Sequence, residues 1–231
     1  LNILIIATFL CASSTSIFAQ KSYTIVLDAG HGGKDPGNLG NGFKEKDIAL
    51  KVARIIGKDL EKHTDIRIIY TRDEDVFIDL WKRGDIANTA KADLFVSIHC
   101  DSHTSSAYGA GTFVLGLRGN KKNLEIAKRE NAVILLEDNY KEKYVRETIM
   151  PSVLIELGFL TNINEGAFLD SNSGQKQMAN AIVEAIESYV DHLKLNTVRA
   201  SSGTKVTTKE VKSDFVTSTD IEFKVQIASG R

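Results

Sequence analysis

Along the chain from Tyr23 to Leu195, hydrophobic positions switch between two periods. Short apolar or alternating runs give way to a spacing of three and four residues, and then return. The run YTIVLDAG (23–30) reads as a strand. EKDIALKVARIIGKDLEKH (45–63) places Ile48, Val52, Ile55, Ile56 and Leu60 at helical spacing. DIRIIYTR (65–72) is a second strand, and LWKRGDIANTAKA (80–92) a short helix with Trp81 and Ile86 turned inward. DLFVSIHC (93–100) and GAGTFVLG (109–116) are further strands. NKKNLEIAKRENAVILLEDNY (120–140) reads as a long helix, PSVLIELGFL (151–160) as another strand, and GQKQMANAIVEAIESYVDHL (174–193) as a closing helix. This alternation predicts an α/β fold, a mainly parallel twisted sheet covered by helices on both faces.

The two ends break the pattern. LNILIIATFLCASSTSIFAQ is an apolar run followed by small and polar residues, and 1–19 reads as a secretory signal peptide. Leu10-Cys11 suggests a lipoprotein site only superficially, because Leu10 is bulky. With the leader removed, Cys100 is the one remaining cysteine and makes no intramolecular disulfide. Strand alternation turns it away from the neighbouring His99, as a packed thiol. From 196 to 220 the chain is rich in Ser, Thr and Lys and reads as a flexible linker. Residues 221–231 alternate like one strand. The region 22–195 is the expected main folded domain.

Composition narrows the function classes. With 231 residues, 42% hydrophobic and 26% charged, the chain supports one substantial core. A net charge of −1 offers no basic surplus for nucleic acid. After the leader, no apolar run approaches the ~18 residues of a membrane span.

The chemistry gathers where strands end. Ligands of an open α/β sheet bind beyond the carboxyl ends of its strands. The first strand leads to His31, within glycines (DAGHGGKDPG), and the third carries His99. The last strand carries Glu156, and Glu45 lies in the first turn of the first helix. Each has a plainer reading alone. A single histidine after a strand is more often a surface or core residue, and Glu45 suits a helix N-terminus. A glutamate inside VLIELGF is harder to explain without a partner. Together, two histidines and a carboxylate are a zinc set of the catalytic type, and a second carboxylate that does not ligate is a general base for water. Asp28 is a candidate partner that orients an imidazole. His63, His103 and His192 lack such placement and are expected in solvent.

The ordered blocks LDAGHGGKDPG, EKDIAL, YTRDEDVFIDLWKRGDIAN, ADLFVSIHCDS, GAGTFVLG and MPSVLIELGFLTN resemble the zinc-dependent N-acetylmuramoyl-L-alanine amidases of the type-3 group. The resemblance implies Zn²⁺ bound by His31, Glu45 and His99, with Glu156 as the catalytic carboxylate. It implies hydrolysis of the amide between N-acetylmuramic acid and L-alanine in peptidoglycan. It also implies export to the periplasm or cell envelope and a regulatory protein of unknown kind. The tail EFKVQIASG is similar to the opening strand of a peptidoglycan-binding SPOR domain. The chain departs from the family near 140–150, where a helix and strand are expected and the sequence is short. An impaired peptidoglycan-binding pseudo-enzyme, or a zinc peptidase cutting stem peptides, are the alternatives.

Overall fold

The computed structural model describes residues 21–115 and 150–201. The elements in chain order are β1 (Tyr23–Ala29), β2 (Leu39–Gly40), β3 (Phe43–Lys44), α1 (Glu45–Leu60), β4 (Ile66–Tyr70) and α2 (Leu80–Thr89). They continue as β5 (Leu94–Asp101), β6 (Gly111–Leu115), β7 (Ser152–Phe159), α3 (Ile163–Asp170) and α4 (Asn172–Ser201). Five strands form one sheet in the order β4-β1-β5-β7-β6. All neighbours pair in parallel except β6, which runs antiparallel to β7. The predicted α/β class and mainly parallel sheet are therefore observed.

Strand alternation sorts the side chains into two layers. Tyr23, Ile25, Leu27 and Ala29 of β1 and Leu94, Val96, Ile98 and Cys100 of β5 join the larger core. In it, Ile48, Val52, Ile56 and Leu60 of α1 meet Met178, Ile182, Ile186 and Val190 of α4. The opposite parity belongs to a smaller core of Val26, Ala87, Ala92, Phe95 and Met150. Asp28 follows Val26 on that second face, and Ser97 and His99 follow Phe95. Cys100 is buried in the larger core, away from His99, as its position in the strand predicts.

Two local features aim the site. The β2–β3 hairpin turns through Asn41 and Gly42, both at positive φ (54° and 84°), the conformation a tight two-residue hairpin requires. It delivers the chain directly into α1 at Glu45. Between β5 and β7, His99 pairs with Glu156 but Asp101 pairs with Phe159, so Leu157 and Gly158 oppose Cys100 alone. This bulge follows Glu156 immediately, and such bulges re-aim side chains beside functional sites.

Several elements differ from the sequence reading. In α2 the buried residues are Arg83 and Ala87, while Trp81 and Ile86 are only partly covered. The polar inward face exists because Arg83 ends on a carboxylate beneath the sheet. The short helix α3 has no periodic apolar stripe. It is set instead by Asn162, whose side chain accepts from the Asn164 and Glu165 amides as a helix cap. Helix α4 continues to Ser201, so the first residues of the expected 196–220 linker are helical. The leader 1–19, the helix 120–140, most of the shortened segment near 140–150, and the tail beyond 201 lie outside the described residues. No helix among the described residues is long and apolar enough to cross a membrane.

Ile56 is fully buried between α1, the sheet and α4. Truncating such a residue removes apolar contacts and leaves a cavity. Ile56→Ala is expected to lower unfolding free energy by about 2–5 kcal/mol, read from denaturant midpoints. A midpoint equal to the parent's would contradict this core assignment.

Candidate metal centre

His31 leaves β1 in a backbone conformation that non-glycine residues rarely adopt, with φ of 59°. Two buried guanidinium groups hold it there. Arg72 donates through Nε to the Ala29 carbonyl (2.9 Å) and through Nη2 to those of Gly30 (2.7 Å) and Lys46 (2.9 Å). Arg83 donates to the carbonyls of Ala29 (2.8 Å), His31 (2.7 Å) and Ile78 (3.0 Å). The turn's carbonyls thus point at cationic donors, and the surroundings over-determine the strained residue.

The resulting geometry brings His31, Glu45 and His99 together. One donor atom from each lies within 4.8 Å of the others. The two rings meet edge to face with centroids 5.0 Å apart. His31 Nε2 is 3.1 Å and His99 Nδ1 2.9 Å from the same oxygen, Glu45 Oε1. That carboxylate has no exposed surface and also accepts from the amides of Cys100 (2.9 Å, Oε1) and Asn38 (2.8 Å, Oε2). Burial would raise its pKa, but hydrogen bonds and charge from His31 and His99 outweigh that and hold it at about 2. Glu45 is therefore a carboxylate throughout the physiological range.

The outward nitrogens have their own partners. His31 Nδ1 is 2.8 Å from Asp35 Oδ2, and His99 Nε2 is 3.1 Å from Ser97 Oγ. Asp35 only accepts, so His31 carries its proton on Nδ1 and turns Nε2 inward. Burial opposes the ionised Asp35, yet the hydrogen bond and charge of His31 leave its pKa lowered. Asp35 thus orients an imidazole, a role the sequence reading had assigned as a candidate to Asp28. A carboxylate four residues beyond the histidine was the available signal.

Asp28 is held by three other groups. Its Oδ1 accepts from Thr71 Oγ1 (2.6 Å) and Arg83 Nη1 (2.7 Å), and its Oδ2 from Ser97 Oγ (2.6 Å). Burial pushes its pKa up, but Arg83 and the three hydrogen bonds bring it down to about 2. Asp28 is linked to His99 through Ser97.

Two glycines are steric requirements of this arrangement. A Cβ on Gly30 would lie 2.4 Å from the His99 ring. A Cβ on Gly37, itself at φ 66°, would lie 2.6 Å from the His31 ring and 2.7 Å from Glu45 Oε2. Larger side chains at either position would displace the site.

Glu156 is buried, 2% exposed, and stands in β7 directly across from His99 in β5. Parallel neighbours in register share a face, so Glu156 lies on the same face as His99. Beyond it, the rim is formed by the loop after β5. Thr161 Oγ1 accepts from the His103 amide and donates to its carbonyl (2.9 Å each). Asn162 Nδ2 donates to the Ala107 carbonyl (3.2 Å), and Glu165 Oε1 accepts from the Gly109 amide (2.7 Å). An open cleft runs along this rim between Asn38, Leu39, Ser102, His103, Thr104 and Thr161. His63, His103 and His192 are exposed, as expected.

The chain is similar to known proteins over most of its length. Over 189 residues the chain is 36% identical to YqiI, an uncharacterized protein of Bacillus subtilis. The match covers 78% of this chain and 90% of the relative. It is 29% identical over 222 residues to the N-acetylmuramoyl-L-alanine amidase AmiC of Escherichia coli, covering 74% of this chain and spanning about half (53%) of that relative's length. Among solved structures, an N-acetylmuramoyl-L-alanine amidase from Clostridium difficile 630 superposes with a TM-score of 0.61 at 32% identity. That alignment covers 74% of this chain and 98% of the other. Residues 25–188 match the Amidase_3 family throughout, and the chain belongs to this family of N-acetylmuramoyl-L-alanine amidases.

Proposed function

We propose that this peptidoglycan amidase cleaves the amide between N-acetylmuramic acid and L-alanine with one zinc ion held by His31, Glu45 and His99. The observation that carries the reading is the meeting of donor atoms at Glu45 Oε1. His31 Nδ1 is engaged by Asp35 and His99 Nε2 by Ser97, so the remaining nitrogen of each ring is the one turned to Glu45 Oε1. Once those two nitrogens give up their protons, they and the carboxylate oxygen converge as a donor set that a divalent cation stabilises. Two neutral imidazoles and a carboxylate are also the donor chemistry that zinc prefers at catalytic sites. The residues present therefore fit the metal.

A bound zinc supplies Lewis acidity, polarising an amide carbonyl and making water nucleophilic near neutral pH. The protein's part is to hold geometry and move a proton. His31 and His99 are fixed by the β1 turn and by β5. Glu45 is fixed by two backbone amides at the start of α1. Glu156, across from His99, takes the proton from the attacking water and delivers it to the departing nitrogen of L-alanine. The carbonyl carbon gains the hydroxyl oxygen, the carbon–nitrogen bond breaks, and the products are a lactyl carboxylate and a free α-amino group. The open cleft beside Asn38 and Thr161 gives a polymeric substrate access. The chain acts outside the cytoplasmic membrane, where peptidoglycan lies.

Digestion of purified sacculi tests the reaction. The expected products are glycan with free lactyl ends and stem peptides beginning at L-alanine. Cleavage within the stem peptide, or no cleavage, would overturn the assignment.

Two substitutions separate the roles. His31→Ala and His99→Ala are expected to abolish stoichiometric zinc, measured by metal analysis of purified protein; full retention would show the ligand set to be wrong. Glu156→Gln is nearly isosteric but accepts no proton. It is expected to keep zinc while losing about 10²–10⁴ in rate. Loss of zinc together with activity would make Glu156 a ligand.

A further inference from the structure

The cleft beside the metal centre is walled without charge. Its lining is Asn38, Leu39, Ser102, His103, Thr104 and Thr161, with no carboxylate, lysine or arginine. His103 accepts the Ser105 amide on Nδ1 (3.0 Å), which a neutral imidazole does and a protonated one does not. The loop that carries this wall, SHTSSAYGA (102–110), holds no Lys, Arg, Asp or Glu and is rich in hydroxyl groups. Glu165 reaches the loop from α3, but its two oxygens are engaged by the amides of Gly109 (2.7 Å) and Phe159 (2.8 Å).

The cleft adjoins the metal centre through Asn38. The Asn38 amide donates to Glu45 Oε2 (2.8 Å), and its side-chain oxygen accepts from Ser102 Oγ (2.9 Å). One residue thereby touches both a proposed ligand and the cleft wall. Farther along the same loop, Tyr108 is 80% exposed. The chain on either side of it is fastened, at the Ala107 carbonyl by Asn162 (3.2 Å) and at the Gly109 amide by Glu165. The exposed ring therefore stands on a held backbone, which lowers the ordering cost when a ligand packs against it. Gly111 pairs with Glu156, and the three residues from Tyr108 to Gly111 span at most about 11 Å.

We infer that the 102–110 rim is the glycan subsite of the proposed amidase reaction, with Tyr108 as the platform for a sugar ring. This rests on that reading and says which part of the substrate lies here. The amide to be cut hangs on a sugar, so a glycan strand and a stem peptide both lead away from the metal centre. A stem peptide carries ionised groups, which charged side chains recognise best. A glycan strand presents hydroxyls, acetamido groups and flat C–H faces. The hydroxyls and the amide of the cleft match the polar groups. The negative face of an aromatic ring matches a C–H face, and Leu39, 62% exposed, adds apolar surface in the same cleft.

The test uses the full chain in three forms: parent, Tyr108→Ala and Tyr108→Phe. The probes are peptide-free glycan strands of N-acetylglucosamine and N-acetylmuramic acid and, separately, free stem peptide. Chemical-shift titration reads binding without turnover. The parent is expected to bind the glycan, with shifts at the Tyr108 ring and the 102–110 amides. Tyr108→Ala is expected to bind it about 3–10-fold more weakly, and Tyr108→Phe, which keeps the ring, to match the parent. Failure of the parent to bind the glycan would overturn the inference. So would parental affinity in Tyr108→Ala, or a Tyr108 ring that responds to stem peptide and not to glycan. A Tyr108→Phe chain as weak as Tyr108→Ala would make the residue a hydroxyl contact and overturn the stacking role. If Tyr108→Ala does not fold, the parent's shift map and Tyr108→Phe decide. Sacculi left uncut by the parent would overturn the amidase reading, while the glycan titration judges the subsite by itself.

Discussion

The ion pair between Arg83 and Asp28, 2.7 Å long and buried at both ends, is the contact on which the rest of the site depends. Burying two charges is costly, and their mutual attraction offsets that cost only when the remaining hydrogen-bonding groups are also satisfied. Here they are engaged in detail. Asp28 collects Thr71 and Ser97, and Arg83 collects three backbone carbonyls. The pair thereby ties β1, β4, β5, α2 and the His31 turn to one point beneath the sheet. An apolar replacement of similar volume would fill the space but would leave the carbonyls of the strained turn without donors.

The sequence made the broad architecture and the central residues legible for a physical reason. Apolar periodicity reports which face of an element is buried, so β1, α1, β5 and β7 were readable from it. The positions of His31, His99 and Glu156 near strand ends then followed from the topology. Glu45 was readable as the first residue of a helix. The supporting polar contacts were not. Thr71, Ser97 and Arg83 meet Asp28 from 43, 69 and 55 residues away, and no local pattern records such meetings. Arg83 was missed because α2 was oriented by its apolar residues, Trp81 and Ile86, whereas one of its two buried side chains is charged. Helix α3 was missed because its start is encoded in one capping asparagine and its interior lacks an amphipathic stripe. The role expected of Asp28 belongs at His31 to Asp35, since the glycine-rich turn folds Asp35 back onto the ring.

The two histidines meet the same carboxylate oxygen through different nitrogens, and the backbone explains the difference. His31 sits on a turn that reverses after β1, so its ring approaches Glu45 with Nε2 and leaves Nδ1 for a residue of the same turn. His99 stands within a strand, and its ring lies over Gly30 of the neighbouring chain segment with Nδ1 toward Glu45. Its Nε2 points toward Ser97, two residues back on the same face of β5. Here a turn residue and a strand residue meet at one carboxylate with their distal nitrogens engaged by different kinds of partner.

The register of His99 with Glu156 makes β5 and β7 a ruler. Neighbouring strands in a sheet lie about 4.7–4.9 Å apart, a spacing set by backbone hydrogen bonds and shared by every side chain they carry. The separation between the histidine and the glutamate is thus a property of the sheet, not of the loops that surround it. The rim loop after β5 is fastened separately, by Thr161, Asn162 and Glu165. Length or composition can change in that loop while His99 and Glu156 keep their spacing. Chemistry and access to the chemistry are consequently written into different parts of the molecule, and each can be altered without re-cutting the other.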